Sequence, residues 1–297
     1  PNLILAVGGG SVIDYAKIAN VKDIGNNLVK KIHGESHIGK EKIAKMIAIP
    51  TTAGSGAEVT SGAVIYINKI KYSIDNKIII PDKYFLLPKI IMKNKKKLKA
   101  SSGFDAISQS VESIISLKSN NTSLLYAKKS LYISLSNYLS FLKKPNFYNS
   151  SNMSIAAMLA GKAINISKTT APHAVSYPFT SHFNVSHGHA VSLTLEKFLK
   201  FNYKNQNKSK TSFNLNDRYK ILFKIFGVKN IDDLNLKIKN IKYEANLRDN
   251  FERLNIDIKK HYPKILKEIN IKRLKNNPIE LSKSDIKLIL LNNYNDE

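Results

Sequence analysis

Four of the seven histidines in this 297-residue sequence fall in one window, residues 170–190, which reads TAPHAVSYPFTSHFNVSHGHA. They are His173, His182, His187 and His189. Imidazole is the commonest metal ligand among side chains and titrates nearest to neutral pH. The cluster therefore indicates a metal site or a proton-transfer site. The alternative is a set of histidines with ordinary hydrogen bonds on loops and helix faces.

A second candidate for metal chemistry is the segment GFDAISQSVE, residues 103–112. Asp105 and Gln109 are four residues apart, so a helix places both on one face, with Glu112 next along that face. The other side of this helix is a predicted core stripe of Phe104, Ile107 and Val111. A polar pair at this spacing is usually a solvated helix face. Together with a remote pair of histidines, it becomes half of a candidate metal site.

Two small-residue loops follow predicted strands. GGGSVIDYAK (8–17) comes after the apolar run LILAV (3–7) and opens a predicted helix with Ser11 as its N-cap. TTAGSGAE (51–58) follows KMIAIP (45–50). Glycine allows close approach of an anion to the backbone, and ligands of open α/β sheets bind beyond the carboxyl ends of the strands. The two loops together favour a nucleotide site, although each could be a tight turn that simply requires glycine.

The order of the elements predicts the fold class. Up to about Pro88 the sequence alternates buried strands, glycine-rich turns and helical segments, which is the α/β pattern. After Leu98 the periodicity is mostly helical, with helices predicted at 103–118, 123–142, 151–166, 187–203, 216–226, 230–240, 244–255, 259–267 and 283–291. We therefore predict an α/β plus all-α protein, with a partial Rossmann-like, dinucleotide-binding parallel-sheet domain at 1–97 and a helical metal- and substrate-binding domain at 98–297.

Composition excludes several kinds of site. The sequence has no cysteine, so a metal must be held by histidine, carboxylate or amide oxygen. The net charge of +25 comes from lysines spread along the chain, and the only arginines are Arg218, Arg248, Arg253 and Arg273. A nucleic-acid surface more often combines arginine with interleaved aromatic residues. We therefore expect no nucleic-acid partner.

The apolar runs and the start of the chain bear on localisation. No run approaches the roughly 18 apolar residues of a membrane-spanning helix, and the opening PNLILAVGGG lacks a secretory signal. We expect a soluble, cytoplasmic protein with no membrane partner. The first residues already resemble the middle of a domain, so we also expect an amino-terminal part to be missing.

A resemblance joins these motifs. GGGSVIDYAK, IPTTAGSGAEVT, GFDAISQSVES, the spacing from His173 to His187 ending in HGHA, and RLKNNPIELSKSDIKLIL occur in the order found in the iron-containing (group III) alcohol dehydrogenase family. They run over nearly the whole chain. Within that family, GFDAISQ together with SKTTAPHAVSYPFTSH resembles the branch of phosphonoacetaldehyde reductases, or hydroxyethylphosphonate dehydrogenases.

The resemblance implies an NAD(P)H cofactor in the cleft between the two domains, next to a divalent metal ion, Fe²⁺ or Zn²⁺. The cofactor-binding positions that it implies are Gly8, Gly9, Gly10, Ser11, Asp14, Lys17, Thr51, Thr52 and Ser55. The metal ligands that it implies are Asp105, His173 and His187. The two histidines would then lie on a loop at the reactive centre, with His182 and His189 outside the ligand set.

The sequence departs from the family in two places. Most members have histidine at the position of Gln109, so the fourth ligand would be an amide oxygen, which is a poorer partner for iron or zinc. The metal would be held more loosely, or water would fill the position, or this branch depends less on metal. The family also has strands and helices before the GGGS loop, including groups that hold the adenine end of the cofactor. Without them we expect weaker cofactor binding.

The reaction that the resemblance implies is reduction of a short aldehyde to an alcohol, with phosphonoacetaldehyde converted to 2-hydroxyethylphosphonate. Tyr177 occupies the position where many relatives carry a further histidine, which suggests a proton relay; the alternative is a buried tyrosine with a satisfied hydroxyl. A phosphonate needs cationic and hydroxyl partners, for which the candidates are Lys168, Thr169 and Thr170.

Other functions remain open at this point. The chain could be another group III alcohol dehydrogenase that acts on simple short alcohols and aldehydes. It could be a lyase of the dehydroquinate synthase type, although that class is expected to show a Glu and His ligand set and a basic phosphate pocket. It could also be a truncated, inactive relative. For the enzyme, the expected partners are a small-molecule substrate and further copies of the chain in a homo-oligomer.

Overall fold

The computed structural model describes residues 1–22, 24–25, 28–33, 39–67, 70–248 and 250–291. The end of the predicted helical domain, 292–297, lies outside the described residues. The strands are β1 (Leu3–Gly8), β2 (Lys45–Pro50), β3 (Gly62–Ile67), β4 (Ile70–Asp75) and β5 (Lys83–Tyr84). The helices are α1 (Gly10–Ala19), α2 (Leu28–His33), α3 (Pro88–Met92), α4 (Lys96–Ile115), α5 (Asn121–Lys143), α6 (Phe147–Ser167), α7 (Ala171–Phe183), α8 (His187–Ser192), α9 (Leu195–Lys204), α10 (Leu215–Phe226), α11 (Ile231–Glu244), α12 (Ile258–Lys267), α13 (Ile271–Leu274) and α14 (Lys283–Leu290). A small parallel sheet followed by many helices confirms the predicted fold class.

The parallel sheet has the order β1-β2-β5. Both strands predicted from apolar runs are present, and they pair in register from Leu3 with Lys45 onward. Helix α1 covers one face of the sheet, where Ala6, Ile13 and Met46 form a small core. On β1 the alternate side chains, Leu3, Leu5 and Val7, are about half exposed. Helix α1 begins two residues earlier than predicted, with Gly9 and not Ser11 as its N-cap.

The connection between β2 and β5 differs from the prediction of strand–turn–helix units. Strands β3 and β4 form an antiparallel hairpin that pairs Gly62 with Asp75 at its base. Its sequence is rich in isoleucine, valine and tyrosine, residues that favour strands over helices. A short core that includes Ile18, Ala63, Ile65 and Ile74 packs the hairpin against the end of α1.

Helix α4 forms the centre of the helical part, where it packs against α5, α6 and α8. Every residue from 103 to 115 is buried, so both faces of this helix are enclosed. The helix begins at Lys96 and therefore crosses the predicted boundary between residues 97 and 98. That boundary stays a prediction. In the part of the chain that the structure describes, no helix is both long and apolar enough to cross a membrane.

Most of the histidine-rich window is helical, including residues 171–183, for which no helix was predicted. Helix α7 (Ala171–Phe183) carries Pro172 in its first turn, where proline is tolerated, and Pro178 in its interior. Proline at 178 cannot donate to the carbonyl of Ala174, and the backbone N–H of Asn270 donates to that oxygen instead, at 3.2 Å. Tertiary structure thus satisfies the acceptor that the proline leaves open.

Further along the chain the predicted helices differ mainly at their ends. The predicted helix 187–203 is broken into α8 and α9 at residues 193–194. The predicted helix 230–240 is present as α11, which extends to Glu244. The predicted helix 244–255 was wrong: beyond α11 the described residues of this range form only a short 3₁₀ turn at Glu252–Leu254, and residue 249 lies outside the described part.

Candidate metal and cofactor site

Helix α4 supplies the first part of the site. Asp105, Gln109 and Glu112 lie along one face of the helix, as predicted, and all three are buried, with relative exposures of 4, 3 and 0%. The alternative of a solvated polar face is therefore wrong. Burial of a charged carboxylate is unfavourable unless it is paired and hydrogen-bonded, so these side chains must find partners on other elements.

The partners are two histidines from the window at 170–190. His173 lies in the first turn of α7, and its Nε2 is 3.2 Å from Oδ1 of Asp105. His187 is the first residue of α8, and its Nε2 is 3.9 Å from the same oxygen. The imidazole rings are 5.3 Å apart, and one ligand atom from each of Asp105, His173 and His187 falls within 4.8 Å of the other two. This arrangement could hold a metal ion.

A close helix–helix contact fixes the position of His187. Gly188 follows it and lies directly against α4, where a Cβ atom would be 2.0 Å from the carbonyl oxygen of Ser101. The backbone N–H of His189 also donates to the hydroxyl of Ser101, at 3.2 Å. Only glycine permits this close approach of the two helices. The contact fixes where α8 lies along the axis of α4.

Glu112 holds His173 from the other side. Its Oε2 accepts hydrogen bonds from the backbone N–H and the hydroxyl of Thr170, at 2.7 and 2.9 Å, and its Oε1 accepts from Nδ1 of His173. Burial lowers the pKa of His173, but the charge of Glu112 and the hydrogen bonds to Asp105 and Glu112 raise it by more, so the pKa is above the usual 6.5. From the sequence, Glu112 was expected on the helix face of Asp105, and no role was predicted for it.

Gln109 provides a test of whether these residues fit a metal ion. Its side-chain N–H donates to Oδ2 of Asp105 at 3.2 Å. Its Oε1 is buried and has no hydrogen-bond partner among the described residues. A buried amide oxygen without a partner is unfavourable, and a cation beside Asp105 would satisfy it. Two imidazoles, a carboxylate and an amide oxygen form a donor set suited to a divalent transition metal.

The two small-residue loops lie against each other at the carboxyl ends of β1 and β2. We call residues 8–11 the first glycine loop and residues 51–58 the second glycine loop. The N–H of Thr51 donates to the carbonyl of Gly8 at 2.9 Å, and the Cα atoms of Gly9 and Gly10 face Thr52 and Ser55, respectively. The predicted cofactor positions of the two loops, Gly8, Gly9, Gly10, Ser11, Thr51, Thr52 and Ser55, are thus brought together.

The second glycine loop also packs on the helical part. A Cβ atom at Gly54 would lie 2.6 Å from the carbonyl oxygen of Ser102, and one at Gly56 would lie 2.4 Å from Cα of Gly161 in α6. Ser102 is one turn before Asp105. The loop therefore connects the carboxyl edge of the sheet to the helix that carries the candidate metal ligand.

Asp14 and Lys17 have other contacts than the predicted cofactor. Lys17 is fully buried and donates to the carbonyls of Thr60 and Gly62, each at 2.9 Å. Asp14 accepts from the N–H of Val64 at 2.9 Å. These bonds hold α1 against the start of β3. Because Lys17 has no exposed side-chain surface, it does not contact a ligand in front of the first glycine loop in this structure.

Tyr177 lies one turn after His173 in α7. Its ring centroid is 6.3 Å from that of His187 and 5.5 Å from Cζ of Arg273. Burial raises the pKa of the Tyr177 hydroxyl, and Arg273 lowers it by less. Arg273 was not predicted as a site residue. A possible signal was its rarity, because arginine is scarce in a chain whose cations are mostly lysine.

The predicted substrate residues are largely engaged within the protein. Lys168 forms a salt bridge with Asp75 at 2.7 Å. The hydroxyl of Thr169 accepts from Arg273, and that of Thr170 donates to Glu112. Both threonines are buried, so the structure does not present their hydroxyls to a substrate.

The other two clustered histidines lie outside the ligand set, as expected. His182 is 2.7 Å from both carboxylate oxygens of Glu268 at the surface. His189 is buried, and its Nε2 donates to the carbonyl of Arg248 at 2.7 Å.

Comparison with known proteins defines the class. Residues 99–294 match the C-terminal part of the Fe-containing alcohol dehydrogenase family, and residues 1–88 match iron-containing alcohol dehydrogenase. The chain belongs to the iron-containing alcohol dehydrogenase family.

The sequence identity to individual curated relatives is low. The chain is 32% identical to 4-hydroxybutyrate dehydrogenase of Clostridium kluyveri, over 69% of this chain and 56% of the relative. It is 27% identical to phosphonoacetaldehyde reductase of Streptomyces viridochromogenes, over 68% of this chain and 53% of the relative. The chain thus spans about half the length of these curated relatives.

Solved structures match over nearly the whole chain. Sulfoacetaldehyde reductase from Bifidobacterium kashiwanohense, in complex with NAD⁺, matches with a TM-score of 0.84 and 25% identity, over 98% of this chain and 76% of that one. Alcohol dehydrogenase from Oenococcus oeni has the same fold, with a TM-score of 0.86 at 24% identity, over 99% and 77% of the two chains.

Proposed function

We propose that this protein is a metal- and NAD(P)H-dependent alcohol dehydrogenase that reduces a short aldehyde. The observation that carries the proposal is the convergence of ligand atoms from Asp105, His173 and His187 within 4.8 Å of one another. The second glycine loop packs on α4 one turn before Asp105, so a nucleotide bound at the glycine loops would lie near the metal. Family membership supports both halves of this site.

For the metal, the proposed ligands of Fe²⁺ or Zn²⁺ are Asp105, His173, His187 and the amide oxygen of Gln109. A metal bound there would polarise the substrate carbonyl and stabilise the charge that develops on its oxygen. The residues themselves fix the geometry: α4 supplies the oxygen ligands, and α7 and α8 supply one imidazole each. The unpaired Oε1 of Gln109 supports its place in the set.

For the cofactor, we place the pyrophosphate of NAD(P)H at the first glycine loop. The free amides at the start of α1 favour an anion there, and the helix dipole adds to the attraction. Thr51, Thr52 and Ser55 would donate hydroxyl hydrogen bonds from the adjacent loop. Asp14 and Lys17 would not contact the cofactor; they would support its site by holding α1 against β3.

For the proton, Tyr177 is the candidate relay residue, whose hydroxyl would hydrogen-bond to the oxygen of the substrate. Burial raises the pKa of its hydroxyl, so the group keeps its proton at neutral pH. It can then donate a hydrogen bond to the reacting oxygen but cannot act as a base. Arg273 lies over the ring and would moderate this effect.

For the substrate, we propose a short aldehyde with an anionic end group, first of all phosphonoacetaldehyde, which would give 2-hydroxyethylphosphonate. Arg273 supports an anionic group, because a guanidinium can bind a phosphonate or carboxylate through two hydrogen bonds. The names of three relatives, 4-hydroxybutyrate dehydrogenase, phosphonoacetaldehyde reductase and sulfoacetaldehyde reductase, likewise denote compounds with an anionic group.

A spectrophotometric assay tests the reaction. The purified protein, loaded with Fe²⁺ or Zn²⁺, is expected to oxidise NADH or NADPH when phosphonoacetaldehyde is added. Asp105→Ala should reduce kcat/KM at least about 100-fold, because a Lewis-acid metal contributes several kcal/mol to the transition state. Asp217→Ala, which removes an exposed carboxylate far from the site, is the control. Full activity of the Asp105 variant would contradict the metal mechanism.

A second comparison tests the substrate class. Arg273→Ala should lower kcat/KM for phosphonoacetaldehyde by about 10- to 100-fold, the value of one charged hydrogen bond, and change that for propanal much less. Arg253→Ala removes an exposed arginine instead. If the wild-type protein prefers propanal to phosphonoacetaldehyde, the anionic substrate is wrong while the dehydrogenase remains.

The carboxylate-bearing compound 4-hydroxybutyrate is the second candidate, because the relative that acts on it shares 32% identity. Oxidation of 4-hydroxybutyrate with NAD⁺ or NADP⁺ distinguishes the two. A higher kcat/KM for this alcohol than for 2-hydroxyethylphosphonate would favour the carboxylate.

A further inference from the structure

Glu112 is the most completely buried carboxylate beside the candidate metal ligands. Its relative exposure is 0%, and all of its hydrogen-bond donors come from one short segment at the start of α7. Glu112 lies two turns after Asp105 on α4. Glu112 is not one of the three residues whose ligand atoms converge. It contacts His173 on the side of the ring that faces away from Asp105.

The chemistry of a carboxylate fixes the state of His173. An ionised carboxylate only accepts hydrogen bonds, so the contact between Oε1 of Glu112 and Nδ1 of His173 requires the proton to be on Nδ1. In the neutral imidazole the lone pair is then on Nε2. That nitrogen is the one that faces Asp105, at 3.2 Å.

The other oxygen of Glu112 fixes the position of the helix. Thr170 is the N-cap residue of α7, yet its hydroxyl makes no capping bond within its own helix. Its N–H and hydroxyl both donate to Oε2 of Glu112, at 2.7 and 2.9 Å. A negative charge at the N-terminus of a helix is favourable. One carboxylate thus ties the start of α7 to α4, three residues before His173.

We infer that Glu112 is a positioning residue of the metal site, which holds His173 in the tautomer and orientation that a metal ligand needs. The inference rests on the proposed metal site and adds a residue that contacts neither metal nor substrate. Carboxylates that support a ligating histidine in this way typically change metal affinity by about 10- to 100-fold when they are removed.

The substitution Glu112→Gln tests the inference with little change in size. An amide has one acceptor and one donor end, and it cannot serve both partners. If its oxygen faces His173, its N–H₂ faces the N–H and hydroxyl of Thr170, which are also donors, so both hydrogen bonds from Thr170 are lost. If the amide is turned round, its N–H₂ faces Nδ1 and forces the proton of His173 onto Nε2, where it blocks the metal.

The matched control is Glu196→Gln. Glu196 is equally buried, at 1% exposure, and accepts from Lys242 at 2.8 Å, away from the ligand atoms. It reports the general effect of neutralising a buried carboxylate in this protein. Thr170→Val, which removes one of the three hydrogen bonds to Glu112, should give an intermediate effect.

The measurement is the dissociation constant of Zn²⁺ from the otherwise metal-free protein, by competition with a chromogenic chelator, together with the melting temperature. Zn²⁺ should bind about 10- to 100-fold more weakly to Glu112→Gln, and with unchanged affinity to Glu196→Gln. Equal affinity of Glu112→Gln and wild type overturns the inference and leaves the proposed function intact. A wild-type protein that binds no Zn²⁺ overturns both.

A second readout is made on the wild-type protein itself. In protein labelled with ¹⁵N-histidine, the shifts of His173 show which of its ring nitrogens carry a proton; His173→Asn assigns the signals. The expected form carries the proton on Nδ1. A His173 without a proton on Nδ1 in the metal-free wild-type protein overturns the inference directly.

Discussion

Replacement of Gly188 by alanine should separate the candidate ligand His187 from α4. Gly188 follows His187 in α8 and lies against the backbone of α4. The added Cβ atom would be 2.0 Å from the carbonyl oxygen of Ser101 and 2.9 Å from Cβ of Asp105. A helix carbonyl cannot turn aside as the end of a flexible side chain can, so the two helices must move apart.

The size of that movement follows from the contact. Side-chain Cβ atoms essentially never approach other atoms closer than 3.0 Å, so α8 must retreat by about 1 Å. Metal–ligand distances tolerate only about 0.2 Å. The displacement therefore exceeds what a bound metal accepts. Overpacking of this kind costs about 1–3 kcal/mol of folding free energy, less than the typical stability of about 5–15 kcal/mol.

Gly188→Ala should therefore remain folded but bind Zn²⁺ at least about 100-fold more weakly, since displacing a ligand should cost no less than losing the support of one. The measurements are the Zn²⁺ dissociation constant and the melting temperature of the metal-free protein. Gly62→Ala is the control, because its Cβ atom would meet nothing closer than 3.9 Å. A Gly188 variant with wild-type affinity would refute the reasoning that this contact positions His187.

Two further predictions concern Glu58 and Gln109. Burial raises the pKa of Glu58 from 4.5 to about 7, so between these pH values the folded protein keeps a proton that the unfolded chain has lost. The contribution of Glu58 to the free energy of unfolding therefore falls by about 3 kcal/mol as the pH rises through this interval. Urea unfolding should show Glu58→Gln gaining stability over wild type by that amount between pH 4.5 and pH 8, and parallel pH curves would contradict the assignment. Gln109→His should strengthen Zn²⁺ binding on the order of tenfold, or about 1.4 kcal/mol, because imidazole is a better ligand than an amide oxygen; unchanged affinity in the chelator assay would show that residue 109 does not reach the metal.

The sheet and the long helices could be predicted because their signals are local. Continuous apolar runs gave β1 and β2, and the glycines that follow them marked the loops at the carboxyl edge. The hairpin of β3 and β4 was missed because a parallel connection was expected to contain a helix. The available signal was the apolar run AVIYI at 63–67, followed by the alternating apolar residues Ile70, Tyr72 and Ile74.

Helix α7 was missed for a physical reason that the local sequence hides. Pro178 removes an interior hydrogen bond, which normally ends a helix. The lost donor is replaced by the N–H of Asn270, almost a hundred residues later. No local pattern contains that information, although Pro172 is at a position that favours the start of a helix.

The grouping of the site residues was predicted through family resemblance and not through spacing. Asp105 and His173 are 68 residues apart, and a pattern of that separation has no local physical signature. The roles proposed for Glu112 and Arg273 were not predicted because each depends on what another element brings beside it. A glutamate on the same helix face as Asp105 was visible in the sequence, but its burial and its partner at Thr170 were not.

The polar residues of α4 explain why the site forms on this helix. Ser108 and Ser110 are buried but donate to carbonyls of the helix itself, at 2.9 and 2.8 Å, so they need no outside partner. A carboxylate cannot bond to those carbonyls, because it has no proton to donate. Gln109 of the same helix donates to Oδ2 of Asp105, but Oδ1 of Asp105 and both oxygens of Glu112 require donors or a cation from other elements. α7 and α8 supply these partners when they dock. A buried carboxylate without a partner is unfavourable. The need for partners therefore favours the one arrangement in which α7 and α8 bring their histidines to α4.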